Sequence, residues 1–172
     1  MTFVWDHPPR LSTHRLHLRA LTPADRHDLF GIYGDPVVMQ HASDPPFPDV
    51  TFVDQTLTSV AALFQQQQSI EWGMTMHTDD HVIGTCGIHS FTDQRNAAEI
   101  GCLLQQAYWG QSLMREALEV VIQFGFTELQ LDMLHADIDA PNTRSIRLFQ
   151  RLGFCQEHPD STIYTLKKPP SL

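Results

Sequence analysis

Three strand-like segments follow one another in the middle of the chain and constrain its fold more than any other feature. "IEWGMTMH" (Ile70 to His77) and "HVIGTCGIHSF" (His81 to Phe91) are separated only by Thr78-Asp79-Asp80. "NAAEIGCLLQ" (Asn96 to Gln105) comes after the polar turn "TDQRN". Connections this short join antiparallel neighbours. The third segment then leads into "WGQSLMREALEVVIQFGF" (Trp109 to Phe126), expected as a helix from about Gly110 to Phe126. Its Leu113, Ala117, Val120, Val121 and Phe124 share one helical face, with Arg115, Glu119 and Gln123 opposite. "MLHADID" (Met133 to Asp139) reads as the next strand, and a strand–helix–strand unit makes a parallel pair.

The flanks supply the remaining elements. "RLHLRALT" (Arg15 to Thr22) alternates apolar and polar residues like a strand and runs into Thr22-Pro23-Ala24-Asp25. That stretch combines an N-cap, a proline at the first helical position and an acid three residues after the cap. The helix should run to about Tyr33, with Gly34 placed to stop it. A proline-rich loop (41–50) follows. Thr51 and Asp54 repeat the capping pattern ahead of a face formed by Val53, Leu57, Val60, Ala61 and Phe64, with Gln65 to Gln68 as its polar end. "PNTRSIRLFQRLGF" is a short helix stopped by Gly153, and "TIYTLKK" (Thr162 to Lys168) a last strand. The expected order is β-α-α-β-β-β-α-β-α-β-β in one mixed α/β domain over residues 1–172, with residues 1–10 as an N-terminal extension.

Composition narrows the partners. The chain's 11 basic and 20 acidic residues give a net charge of −9, which argues against a general nucleic-acid binder and suits a cationic small molecule or peptide better. Cys86, Cys102 and Cys155 are odd in number and lack CxxC spacing, so reduced thiols in a cytoplasmic core are expected, with no disulfide framework or zinc site. "MTFVWDHPPR" has no basic start followed by an apolar run, and no apolar stretch approaches the ~20 residues needed to span a bilayer. The ten histidines form no HExxH or other dense ligand set, so no metal is expected. Trp72, Trp109 and Phe47 fit an aromatic core before a substrate wall.

The turn between the third strand and the long helix has chemical potential. First-turn N–H groups of a helix lack partners and sit at the positive end of its dipole, so a strand, tight turn and helix start can hold an anion. "WGQSLM" has one glycine and matches neither the P-loop nor GxGxxG. On physics alone it is a helix start first and an anion site second.

The surrounding sequence adds to that reading. "EIGCLLQQAYWGQSLMREAL" resembles the signature of the GNAT superfamily of N-acetyltransferases, in its ribosomal-protein N-terminal acetyltransferase-like branch. "DAPNTRSIRLFQRLGF" is similar to that branch's second signature and "LSTHRLHLRALTPADRHDLF" to its opening strand and helix, so the likeness covers about residues 11 to 157. It implies a mostly antiparallel sheet with one splayed parallel pair and helices on both faces. It also implies acetyl-CoA as acetyl donor, its pyrophosphate on Trp109, Gly110, Gln111, Ser112, Leu113, Met114 and Arg115. The pantetheine arm would lie along Glu99 to Gln105, through the main chain of Leu103, Leu104 and Gln105, with Asn142 near the arm. Ser112 stands where the branch usually has its second glycine, Gln111 where lysine is common, Leu113 where tyrosine is and Arg115 where threonine is. Serine keeps the N–H and adds a hydroxyl, and Arg115 returns a cation.

N-acetyl transfer needs a deprotonated amine, a polarised thioester carbonyl and a leaving thiolate. The likeness makes Glu99 the first candidate base, with an exposed or salt-bridged strand carboxylate as the alternative; Glu71, His89 and Asp139 rank behind it. Leu103 or Leu104 would offer the N–H to the carbonyl. Phe149 stands where many superfamily members have a tyrosine acid, which moves that role to Ser145. Asn142 fits both a cofactor contact and a simple N-cap to the Ser145 N–H. The resemblance implies an acetyl-CoA-dependent transferase acting on a primary amine, a protein N-terminus or a small amine. Ser112 and Phe149 motivate the alternative, a degenerate acyl-CoA-binding module without turnover. The tail "EHPDSTIYTLKKPPSL" either pairs across a two-fold axis in a homodimer or closes its own sheet.

Overall fold

The computed structural model describes residues 4–170. The first three residues of the N-terminal extension and the last two of the tail lie outside the described residues. The strands are β1 (Leu11–Ser12), β2 (Leu16–Ala20), β3 (Ser69–Met76), β4 (Asp79–His89), β5 (Ala97–Leu104), β6 (Met133–Asp137), β7 (Cys155–Gln156) and β8 (Ile163–Lys167). The helices are α1 (Arg26–Tyr33), α2 (Thr51–Gln65), α3 (Leu113–Thr127) and α4 (Thr143–Arg151). The strands form one sheet in the order β1-β2-β3-β4-β5-β6-β8-β7. Every neighbouring pair is antiparallel except β5 with β6, which is the mixed topology the hairpins and the single crossover predict.

The parallel pair is short. Ala97, Ala98 and Glu99 pair with Met133, Leu134 and His135, and there the contact ends while β5 runs on to Leu104. Beyond Glu99 the edge of β5 that faces β6 has no strand beside it. The tail closes its own sheet, because β8 pairs with β6 on one side and β7 on the other.

Two cores lie against the sheet. Leu16, Leu18, Trp72, Met74, Ile88 and Ile100 pack with the inner residues of α3, and Trp72 meets Phe124 edge-on at 5.5 Å. Leu29, Ile32 and Tyr33 of α1 pack with Val53 of α2 and Val82 of β4 in the second. The extension joins the first, with Trp5 against Phe64 and the Pro9 carbonyl accepting from Trp72 Nε1 at 2.7 Å.

The local chemistry departs from the sequence reading in several places. Thr22 N–H donates to Asp25 Oδ2 at 2.7 Å as the capping pattern requires, yet Pro23–Asp25 is a 3₁₀ turn and α1 begins after it. Asp25 also pairs with Arg19, Nη1 to Oδ2 2.9 Å and Nη2 to Oδ1 2.8 Å. Asp49 starts α2 by accepting from Thr51 N–H at 2.8 Å, so Thr51 is inside the helix and is not its cap. Ala61 is exposed, since the buried stripe runs through Val53 and Phe64 with Leu57 and Val60 half-buried. Met76 pairs with Asp79, so the β3–β4 turn is His77-Thr78 and both aspartates belong to β4. Gly34 keeps a right-handed backbone at φ −87° and is there for close packing: a Cβ would stand 2.8 Å from Phe30 O. Only Cys86 of the three free thiols is fully buried; Cys102 is half-buried and Cys155 exposed.

Candidate functional site

The parting of β5 and β6 opens a cavity of about 580 Å³. One wall is β5 with the loop and first turn of α3, the other the end of β6 with α4. Of the residues singled out in the sequence, Glu99, Leu103, Leu104, Trp109, Gly110, Ser112, Leu113, Met114, Arg115, Asn142 and Ser145 line it. Gln105 and Gln111 stand outside its lining: Gln105 Nε2 reaches Val82 O at 3.3 Å, and Gln111 Nε2 reaches Ala107 O at 3.1 Å. The Gln111 carbonyl accepts from Arg15 Nη1 at 3.1 Å, which ties the loop to the start of β2.

The helix starts at Leu113, three residues later than expected, because the chain first passes through two left-handed residues. Gly110 has φ +74° and Ser112 φ +60°. Glycine takes that conformation freely; for serine it costs on the order of 1 kcal/mol. Leu113, Met114 and Arg115, which line the cavity, carry the first-turn N–H groups ahead of the first helical bond, Glu116 N–H to Ser112 O at 3.1 Å. Glu116 itself turns away to the Arg15 main-chain N–H and guanidinium, both at 2.7 Å, so its charge does not face the donors. The Arg15 guanidinium and the hydroxyl of Thr13 more than offset burial and hold Glu116 below the usual carboxylate range. Arg115 is taken up by Glu119 at 2.9 Å.

A cation the sequence reading passed over stands opposite. The Arg144 guanidinium lies 3.3 Å from the centre of the Trp109 ring, joining α4 to the loop across the cleft. Arg147 and Arg151, three and seven residues on, line the same cavity. That spacing was the available signal: Arg144, Arg147 and Arg151 fall on one side of a helix. Asn142 Oδ1 accepts from Ser145 N–H at 3.2 Å, so its capping role is realised at the cavity edge.

At the far end Glu99 sits between two imidazoles, with His89 Nδ1 and His135 Nε2 each 3.9 Å from its Oε2. Burial lowers the His89 pKa, Glu99 acting to raise it and His135 to lower it further. His41, Ala42 and Ser43, from the start of the proline-rich loop, also line the cavity. Two strands from Glu99, outside the cavity lining, stands half-buried Glu71 on β3; burial pushes its carboxyl up to about 7, with the Thr85 hydroxyl pulling it partly back.

Residues 15–155 match the description "Acetyltransferase (GNAT) domain". The chain belongs to the GNAT acetyltransferase family. It is 33% identical over 147 residues to the uncharacterized N-acetyltransferase p20 of Bacillus licheniformis, covering 86% of this chain and 83% of that one. Its fold is that of a GNAT-family acetyltransferase from Bacillus anthracis (TM-score 0.80, 17% identity, 92% of this chain and 98% of that one). It is also that of the spermidine N-acetyltransferase from Vibrio cholerae solved with CoA and spermine (TM-score 0.73, 14% identity, 87% of this chain and 91% of that one). Family membership makes the chain an N-acetyltransferase, and the GNAT family uses acetyl-CoA. The residues present fit that molecule: open first-turn donors, an unpaired strand edge, and three cavity arginines with no carboxylate partner among the described residues.

Proposed function

We propose that this GNAT acetyltransferase moves the acetyl group of acetyl-CoA to a primary amine, with both substrates bound together. The observation that carries the reading is convergence: the α3 donors, the open edge of β5 and Glu99 all end in one cavity. Acetyl-CoA supplies the acetyl group on a thioester; the protein's residues bind, orient and move protons. The N–H groups of Leu113, Met114 and Arg115 hold the pyrophosphate, with Ser112 and Gly110 shaping the approach. The edge of β5 at Leu103 and Leu104 pairs with the amide arm, and a main-chain N–H there polarises the carbonyl.

The amine arrives protonated, since an amine of pKa ~8–10.4 is mostly charged at pH 7. Glu99 accepts one proton. The N–C bond then forms as the C–S bond breaks, and the second proton passes from nitrogen to the departing sulfur by way of Ser145. Phe149 lines the cavity but has no proton to give, and it packs edge-on against Phe154. The acceptor is a protein N-terminus or a small amine.

Calorimetric titration with acetyl-CoA, beside desulfo-CoA and ATP, tests the first half. Both CoA species should bind in the micromolar range, about −8 kcal/mol, and ATP should not. Glu99→Gln should lower kcat by about 10²–10⁴ with acetyl-CoA affinity unchanged. Unchanged turnover would remove Glu99 from the chemistry. Tight binding without turnover of any amine in a broad panel would leave a carrier in place of an enzyme.

A further inference from the structure

The acceptor end of the cavity is backed by a carboxylate that the steps above do not use. Glu71 of β3 stands opposite Gly87 of β4, and Gly87 stands opposite Gly101 of β5. This row shares its sheet face with His89 and Glu99, which pair two residues further along the same strands. Two glycines in register leave the face as bare backbone between them. Glu71 uses that space: a Cβ at Gly87 would overlap its Oε2. The carboxyl therefore leans across β4 toward Gly101, which lines the cavity together with His89 and Glu99. His89 closes over the same hollow, its Nε2 standing 3.3 Å from where a Gly101 Cβ would be.

Among the described residues no cation is paired with this group. The arginines bound to carboxylates are Arg15, Arg19, Arg26 and Arg115, and their partners are Glu116, Asp25, Asp80, Asp54 and Glu119. The titratable groups facing Glu71 are Tyr33 from α1, Cys86 from β4 and Cys102 from β5, whose pKa values are all raised; they carry no positive charge. His89 is lowered by its own burial, and Arg144, which acts on Cys102 from α4, is seated on Trp109. A half-buried carboxylate without a counter-ion is disfavoured in its charged form. It is satisfied by a proton, or by a cation brought from outside.

We propose that Glu71 is a specificity carboxylate of the acceptor site, binding a cationic group set back from the reacting nitrogen. Its carboxyl lies one to two strand spacings, roughly 5–10 Å, from the gap between β5 and β6. That distance is within reach of a short alkyl chain, so the acceptor class is a small diamine. The assignment rests on amine acetylation for what happens at the other end of the cavity.

The test is calorimetric, on the full chain with and without CoA. The probes are 1,4-diaminobutane and butylamine, its monocation of equal chain length. Wild type should bind the diamine at least about tenfold more tightly. Because Glu71 must ionise to pair, binding near pH 7 should also release protons, seen as heats that vary with the buffer. Glu71→Gln should lose both the preference and the proton release and bind butylamine as wild type does. Equal affinity for the two amines, no measurable diamine binding, or a preference that survives in Glu71→Gln would each overturn the assignment. A thermal midpoint for Glu71→Gln at or above wild type shows that it folds; Glu71→Asp, which keeps the charge one methylene short, serves as the second variant and should retain part of the preference. Acetyl-CoA is titrated separately. Diamine selection without acetyl-CoA binding would sink the proposed function and spare Glu71; acetyl-CoA binding without diamine selection would do the reverse.

Discussion

Replacing Glu71 by glutamine should change how stability depends on pH, and the size of the change follows from its surroundings. Burial raises the carboxyl from 4.5 to about 7. A carboxyl raised in the folded state binds more protons folded than unfolded, so it lowers stability as pH rises from about 4.5 through about 7. The loss is absent at acid pH and complete above the folded value. At about 1.36 kcal/mol per pKa unit, linkage puts the cost near 0.8 kcal/mol at pH 5 and 3.3 kcal/mol at pH 8, a difference of about 2.5 kcal/mol. Glutamine keeps the shape and a partner for Thr85 but cannot ionise. The stability gap between Glu71→Gln and wild type should therefore widen in the variant's favour by about 2–3 kcal/mol from pH 5 to pH 8, or roughly 5–10 °C in Tm for a chain of this size. Urea denaturation at pH 5, 6, 7 and 8, without added amine, measures it directly. Parallel stability curves for the two proteins would refute the reasoning, because they would mean that Glu71 ionises as freely folded as unfolded.

Three further outcomes follow from the geometry. Ser112→Gly should raise stability by about 0.5–1 kcal/mol by relieving a left-handed serine, net of glycine's greater backbone entropy; a thermal midpoint at or below wild type would count against strain at the loop. Asp25→Asn should destabilise by about 3 kcal/mol or more, since Asp25 is 4% exposed and leaves Arg19 short of a partner. Burial opposes ionisation of Asp25, yet Arg19 and Thr22 outweigh it and the pKa is lowered, so the wild-type advantage is present above the ordinary aspartate range and should shrink as pH falls below it. A gap that stays constant down to pH 2 would contradict that origin. Gly87→Ala should cost about 1–3 kcal/mol, because the new methyl meets Glu71 Oε2 and stands 2.7 Å from Ile70 O; unaltered denaturation would show that the strand yields.

The parts of this fold that depend on local chemistry could be read from the sequence. The Thr22–Asp25 pattern, the hairpin run and the apolar face of α3 each carry their signal within a few residues. The candidate site was legible where its donors are main-chain groups, since the strand–turn–helix order places Leu113 to Arg115 whatever their side chains. What escaped depends on pairing. Glu71 lies over β4 because Gly87 stands across from it, and only the register of β3 and β4 shows that. The stack of Arg144 on Trp109 joins residues 35 positions apart. The left-handed turn at Ser112 went unseen because serine seldom marks one, and the start of α3 was placed three residues early for that reason.

The shape of the sheet has a bearing on aggregation. Its longest strand, β4, is central, whereas both margins, β1 and β7, are two residues long. A margin that short offers too few unpaired N–H and C=O groups to recruit a neighbouring chain. The tail is what keeps it so: cutting the chain before Ile163 would strip β8 from β6 and turn a five-residue inner strand into an outer one. Stickiness in a truncated form would then come from the uncovered ladder of β6 and would track backbone exposure more closely than lost stability.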